Sequence, residues 1–157
     1  MISVGSPLPE VSFGILQDGE MTNPHTNALF GDKKVVLFAV PGAFTPTCSA
    51  AHLPGYVVLA DKLKEKGIDE IMCVSVNDAF VLDAWKKSQN AEAITMLADG
   101  NGTFTKTIGL DMDTGDFGGV RSVRYSMLVE DGVVTRINIE DPGRFVVSDA
   151  QTMLDSL

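Results

Sequence analysis

Two apolar, β-rich runs, KVVLFAV (34–40) and EIMCVSV (70–76), flank a stretch with the punctuation of one long helix. Strands that are apolar at successive positions belong in a sheet covered on both faces, and a strand, helix, strand order predicts parallel pairing with a right-handed crossover. The intervening TPTCSAAHLPGYVVLADKLKEKG (45–67) carries Pro46 where a first helical turn accepts proline and Gly67 behind a lysine-rich last turn. Pro54 lies inside it and is expected to kink it, because proline removes one helical hydrogen bond.

The remaining segments extend this unit. NDAFVLDAWKKSQN (77–90) reads as a helix behind an Asn/Asp cap, with Phe80, Val81, Ala84 and Trp85 at helical spacing. AITMLAD (93–99) is a third strand, and GTFTKTIGL (102–110) a short helix. RYSMLVEDGVVTRINIE (124–140) is a hairpin turning at EDG. SDAQTMLDSL (148–157) pairs Ser148 with Gln151 as the capping box of a terminal helix. Residues 1–33 are rich in turn formers and predict short strands and loops. The sum is one domain, residues 1–157, of α/β class: a mixed sheet flanked by helices, with an antiparallel hairpin at one edge and a thioredoxin-like arrangement.

Composition removes several function classes. A formal charge of −9 without a cluster of Lys or Arg argues against nucleic acid and anionic membrane as partners. No run approaches the roughly 18 apolar residues of a membrane span, and the N-terminus lacks the pattern of a secretion signal, so a cytoplasmic location is expected. Cys48 and Cys73 are 25 residues apart, which fits neither a secreted disulfide framework nor a zinc site and suits a reducing compartment.

Cys48 falls at the carboxyl end of the first long strand, where the next helix begins, which is where open α/β sheets gather their sites. A free thiol with a pKa near 8.5 is only about 3% thiolate at neutral pH, so a nucleophilic cysteine needs activation from its surroundings. A helix N-terminus contributes up to about 2 kcal/mol toward a nearby negative charge. Of the four arginines, 121, 124, 136 and 144, Arg124 is the one expected to supply the rest. It opens a hairpin strand in an apolar run, where a charge needs a buried partner. Arg121, three residues earlier, is expected on the opposite side of a regular strand. Thr45 can aim its hydroxyl at the same pocket, and Pro41 can shield the sulfur from water. A small buried hydrophobe is the other reading of Cys48, and on these grounds alone both stand.

PGAFTPTC followed by HLPGY resembles the peroxidatic-cysteine motif of the peroxiredoxins, Pro-x-x-x-Thr-x-x-Cys, carried here by Pro41, Thr45 and Cys48. The longer match, with VSVNDAFV (74–81) and RYSMLVEDG (124–132), is similar to the atypical type-five, or plant type II, subfamily, in blocks running from about residue 34 to 139. The resemblance implies a thioredoxin-like fold and reduction of hydrogen peroxide or alkyl hydroperoxides without metal, haem or flavin. Cys48 would become a sulfenic acid, with Arg124, the Thr45 hydroxyl and the Cys48 N–H as donors to the departing oxygen. Glutathione, a glutaredoxin or thioredoxin would recycle it. Homodimers are implied too, with the loop after Phe80 and DFGG (116–119) as contact regions. His52 is expected to pack and orient, since an ionised sulfur needs no base.

Cys73 has two readings. Parallel strands put it about 10 Å below the edge where Cys48 lies, beyond the roughly 7 Å between Cα atoms that a disulfide allows, so pairing needs local opening. A buried core residue is the plain alternative, while plant members of the subfamily place a resolving thiol at similar spacing. DMDTGD (111–116) departs from a calcium loop and reads as a solvated loop, and NGT (101–103) as an unused glycosylation sequon. Seven scattered methionines read as core filling. Against the peroxidase stand a thiol–disulfide oxidoreductase, disfavoured because position 51 is alanine and completes no Cys-x-x-Cys, and a non-catalytic redox-sensing or chaperone-like protein.

Overall fold

A computed structural model describes residues 1–157. Its centre is β3 (Lys34–Ala39), followed by a long helix α2, whose regular part is Leu53–Glu65, and then by β4 (Glu70–Ser75), α3 (Ala79–Ser88), β5 (Ile94–Ala98) and α4 (Thr103–Thr107). A hairpin of β8 (Tyr125–Glu130) and β9 (Val133–Ile139) and a terminal α5 (Ala150–Asp155) complete the main body. The sheet order is β5-β4-β3-β8-β9. The strands β3, β4 and β5 run parallel, and β8 pairs antiparallel with β3, so the hairpin forms one edge as expected.

Alternation along β3 divides the core into two layers. Val36, Phe38 and Val40 meet Ile71, Cys73, Ile94 and Met96 beneath α2, α3 and α5. Val35, Leu37 and Ala39 meet Met72, Val74, Tyr125 and Met127 beneath the N-terminal segment and α4. Residues 35–40 are fully buried, which is why that run shows no polar positions.

Short elements fill the rest. Ile15–Gln17 (β1) and Glu20–Thr22 (β2) form a hairpin, and Thr26–Phe30 is α1. Both hairpin turns are Asp-Gly with positive φ at each residue, Asp18/Gly19 and Asp131/Gly132, the conformation that matches strand twist. DMDTGD is more than a loop. Asp111–Asp113 (β6) pairs with Val120–Ser122 (β7), and the connection closes where the Thr114 N–H and hydroxyl bond the Gly119 carbonyl at 2.8 and 2.6 Å.

Three local expectations need correction. Pro54, expected within the helix, sits instead in the first turn of its regular part, and the irregularity before it is a π-helical turn at residues Cys48–His52. In α3 the buried residues are Ala79, Leu82 and Trp85, whereas Phe80 is 65% exposed and Ala84 also faces outward. The Asp78 side chain caps this helix by accepting from Val81 N–H at 2.9 Å. In α5 the cap is Asp149, which accepts from the N–H and hydroxyl of Thr152. Ser148 is buried and bonded elsewhere, and Gln151 reaches the exposed Asp155 instead. Asp149→Ala should therefore lower stability by about 1 kcal/mol in urea titration, while Gln151→Ala should change it by less than about 0.5 kcal/mol.

Candidate active site

The chain leaves β3 through Pro41, Gly42 and Ala43 and enters α2 by way of Thr45 and Pro46. Asn77, just beyond β4, holds this loop by accepting from Ala43 N–H at 3.1 Å and from the Ser75 hydroxyl. Phe44 takes a left-handed φ of 61°, unusual for a bulky residue, and is exposed. The Thr45 carbonyl accepts the first helical bond, from Ser49 N–H at 3.0 Å, so Cys48 lies within the opening turn. Its own N–H has no acceptor within the chain, as the first donors of a helix do not.

Arg124 reaches this turn from the neighbouring strand, one residue before β8, which pairs with β3. One guanidinium nitrogen, Nη2, donates to Cys48 Sγ at 3.1 Å, and the other, Nη1, donates to His52 Nδ1 at 2.8 Å. Phe145 covers the guanidinium at 5.7 Å from its ring centroid. No carboxylate lies within ion-pair distance of Arg124. Its charge is met by a sulfur, a neutral imidazole and an aromatic face, and a donor of this kind bonds most strongly to an acceptor that carries negative charge.

His52 is completely buried, tilted against Phe38, Tyr56 and Phe145. Its Nε2 donates to the Ser148 carbonyl at 3.0 Å, which leaves a lone pair on Nδ1 for Arg124. Burial, and then the Arg124 charge, push its pKa down to about 3 despite the Ser148 bond and nearby Glu140. The ring is therefore neutral and its tautomer set, in keeping with an orienting part rather than a base. Tyr56 OH donates to the same Ser148 carbonyl at 3.0 Å.

Arg121 makes no hydrogen bond to the sulfur, for a reason other than strand alternation. It belongs to the separate strand β7, where its Nε donates to Gly118 O at 3.0 Å. A Cβ on Gly42 would come within 3.0 Å of its Nη1, so the glycine of the PG pair makes room for this side chain. The Thr45 hydroxyl gives its proton to Gly42 O at 2.6 Å and not to the sulfur. Only its lone pairs remain for a bound molecule. Pro41, Thr47, Arg124 and Phe145 line a 490 Å³ cavity together with Leu110, Met112 and Ile139.

Cys73 is buried in β4, level with Phe38 of β3 and Met96 of β5, in the same core layer as Cys48. Both thiols are free. Burial, and secondarily the proximity of Cys48, push the Cys73 thiol well above its ordinary value. It is held as a neutral SH.

Residues that sequence reasoning passed over complete the arrangement. Trp85 of α3 donates from Nε1 to the Ser49 hydroxyl at 3.0 Å and pins the turn next to Cys48. Glu140 is buried at the end of β9, and its carboxylate accepts from Val146, Val147 and Ser148 N–H and from the Ser148 hydroxyl. Burial raises the Glu140 pKa, but the Ser148 hydroxyl and these amides outweigh it and the net shift is downward. An acidic residue closing the run TRINIE was the available signal, although nothing near it in sequence named its partners.

Comparison with known proteins gives a consistent result. The Redoxin family profile matches residues 3–154. The chain is 47% identical to the chloroplastic peroxiredoxin-2E of Arabidopsis thaliana, covering 99% of this chain and 69% of that one. It is 48% identical to the hybrid peroxiredoxin hyPrx5 of Haemophilus influenzae, covering 98% of this chain and 65% of that one, so it spans about two thirds of these relatives. Its fold is similar to that of reduced Prx3 from Vibrio vulnificus in complex with H2O2, with TM-score 0.98, 58% identity and 99% of each chain covered.

The histidine supplies a stability test. An unfolded histidine titrates near 6.5, so its folded value of about 3 means that the unfolded chain binds a proton first as pH falls. This contribution to stability is complete above about pH 6.5 and is lost toward pH 3, with a slope of up to about 1.4 kcal/mol per pH unit. Urea titrations between about pH 6 and pH 5 should show that slope in the wild type and lose it in His52→Asn. An unchanged slope would show that His52 takes up its proton in the folded state.

Proposed function

Because the chain belongs to the Redoxin family and, within it, to the peroxiredoxins of the plant type II kind, we propose that Cys48 is its peroxidatic cysteine and Arg124 the group that activates it. The protein is a thiol-dependent peroxidase. The observation that carries the assignment is the 3.1 Å contact from Arg124 Nη2 to Cys48 Sγ, made by a guanidinium with no carboxylate to neutralise it.

In this reading the Cys48 thiolate attacks one oxygen of the hydroperoxide. An S–O bond forms, the O–O bond breaks, and the departing alkoxide or hydroxide takes a proton to leave as alcohol or water. Arg124 and the unpaired Cys48 N–H supply positive charge where that oxygen gains electrons. Thr45, its proton committed to Gly42, accepts from the peroxide O–H and sets its angle of approach. Pro41, in the cavity lining with Arg124, restricts water there. No metal or organic cofactor enters these steps.

An incoming thiol then attacks the sulfenic sulfur and expels water to form a disulfide. Cys73 is neutral and enclosed, so it serves as resolving thiol only when the turn and neighbouring strand open. Glutathione, a glutaredoxin or thioredoxin is the reductant in this reading, with capture from solution competing with closure of a Cys48–Cys73 bond. A homodimer belongs to the same proposal, supported by Phe80 at 65% and Phe117 at 79% exposure beside the loops expected to make contact. So does a cytoplasmic location, supported by two free thiols and by the absence of any helix long and apolar enough to cross a membrane. A non-catalytic sensor is not favoured.

Rapid-mixing fluorescence with one equivalent of peroxide, read at Trp85, tests the roles. Cys48→Ser should abolish the oxidation step, and Cys73→Ser should keep it. Arg124→Gln should slow it by about two orders of magnitude, the usual effect of removing one donor to a developing oxyanion. An unchanged rate in Arg124→Gln would refute the activation assigned to that residue. Mass spectrometry after one equivalent of peroxide with glutathione present should find a mixed disulfide on Cys48. A quantitative Cys48–Cys73 disulfide that excludes glutathione would refute capture from solution.

A further inference from the structure

Glu140 is 5% exposed and has no lysine, arginine or histidine within ion-pair distance. A buried carboxylate without a cation is costly unless hydrogen bonds satisfy it, and here they come from one short turn. Its Oε2 accepts from Val146, Val147 and Ser148 N–H at 2.8 Å each and from the Ser148 hydroxyl at 2.7 Å. The carbonyl of that same Ser148 accepts from His52 Nε2 at 3.0 Å, and His52 Nδ1 accepts from Arg124 Nη1 at 2.8 Å. The Glu140 main-chain N–H donates to the Arg124 carbonyl at 3.0 Å. These bonds close a ring that begins and ends at Arg124 and touches Cys48 only through the guanidinium.

We propose that Glu140 is a positioning residue for peroxide reduction: by gathering the 146–148 turn it holds the Ser148 carbonyl against His52 Nε2, and so keeps a lone pair on Nδ1 to orient Arg124 toward Cys48. This rests on the roles given above to Cys48 and Arg124. Imidazole has two neutral tautomers, and the hydrogen bond at one nitrogen selects which the other presents. Without an acceptor at Nε2 the ring can carry its proton on Nδ1, where an N–H would face the N–H of the guanidinium. Arg124 would then keep its main-chain tie to residue 140 but lose the second anchor of its side chain. Charge alone predicts the opposite effect, since a nearby carboxylate disfavours a second negative charge on sulfur. Removing Glu140 should therefore speed the reaction if its charge matters and slow it if its geometry does.

A double-mutant cycle separates these outcomes. Glu140→Ala should lower the second-order rate with hydrogen peroxide about tenfold, less than the roughly hundredfold that a 1 Å misplacement can bring. In the Arg124→Gln background the same change should have no further effect. Glu140→Gln, whose amide oxygen can replace Oε2, should stay within about threefold of the wild type. Nitrogen-15 shifts of His52 should report an Nε2–H ring in the wild type and in Glu140→Gln, and a mixture of tautomers in Glu140→Ala. Should Glu140→Ala fail to fold, Glu140→Asp keeps the charge but withdraws the acceptor by one methylene, and it should slow the reaction and mix the tautomers in the same way. Wild-type rates in both shortened variants, or a tenfold loss that persists beside Arg124→Gln, would overturn the proposal while leaving the roles of Cys48 and Arg124 intact. No effect of Arg124→Gln by itself would overturn both.

Discussion

A guanidinium without a carboxylate partner stands at the end of the sheet, and the surrounding structure is arranged to tolerate it. Arg124 is held by a neutral imidazole at 2.8 Å, an aromatic face and the sulfur of Cys48 at 3.1 Å. A carboxylate in contact would make a more stable pair and leave less field for the sulfur. The acid nearest the ring, Glu140, is instead engaged by backbone amides of residues 146–148, so it shapes the site without neutralising the arginine. The burial that keeps His52 uncharged serves the same end, because an imidazolium there would compete with the sulfur for the role of partner.

The π-helical turn at Cys48–His52 is part of this arrangement. Within this wider turn Cys48 and His52, four residues apart, are both fully buried. Pro54 follows where its missing N–H costs little. Phe38, stacked on Tyr56 with ring centroids 4.1 Å apart, forms the floor beneath His52, so the central strand supports the ring that supports the arginine. Trp85 ties the third helix to the same turn through Ser49. Opening the turn to expose Cys48 to a second thiol has to break these contacts together, which sets the resting site as a closed state.

Two cysteines in one core layer have different neighbours. Cys48 has an arginine donor and a helix beginning beside it, and Cys73 has Phe38 and Met96 as strand neighbours. Enclosure keeps the Cys73 thiol protonated, and a protonated thiol is a poor nucleophile.

By itself the sequence determined the βαβ unit and the edge hairpin, and it singled out Pro41, Thr45, Cys48 and Arg124 as candidates. Apolar periodicity, Asp-Gly turns and a compact motif are local signals, and Arg124 was legible as a charge inside an apolar run. The end of α5 shows how far such signals reach: Ser148 and Gln151 fit a capping box, but Asp149 fits a cap one residue later, and only the demand of Glu140 for the Ser148 N–H and hydroxyl decides between them. The tertiary structure alone decided that the Thr45 proton goes to Gly42, that Arg121 fills the space beside that glycine, and that Glu140 meets Ser148, His52 and Arg124 in one ring. Those partners come from four separate segments of the chain, and a hydrogen bond between residues 72 or 96 positions apart leaves no periodicity or spacing behind; it exists only once the sheet has brought their ends together.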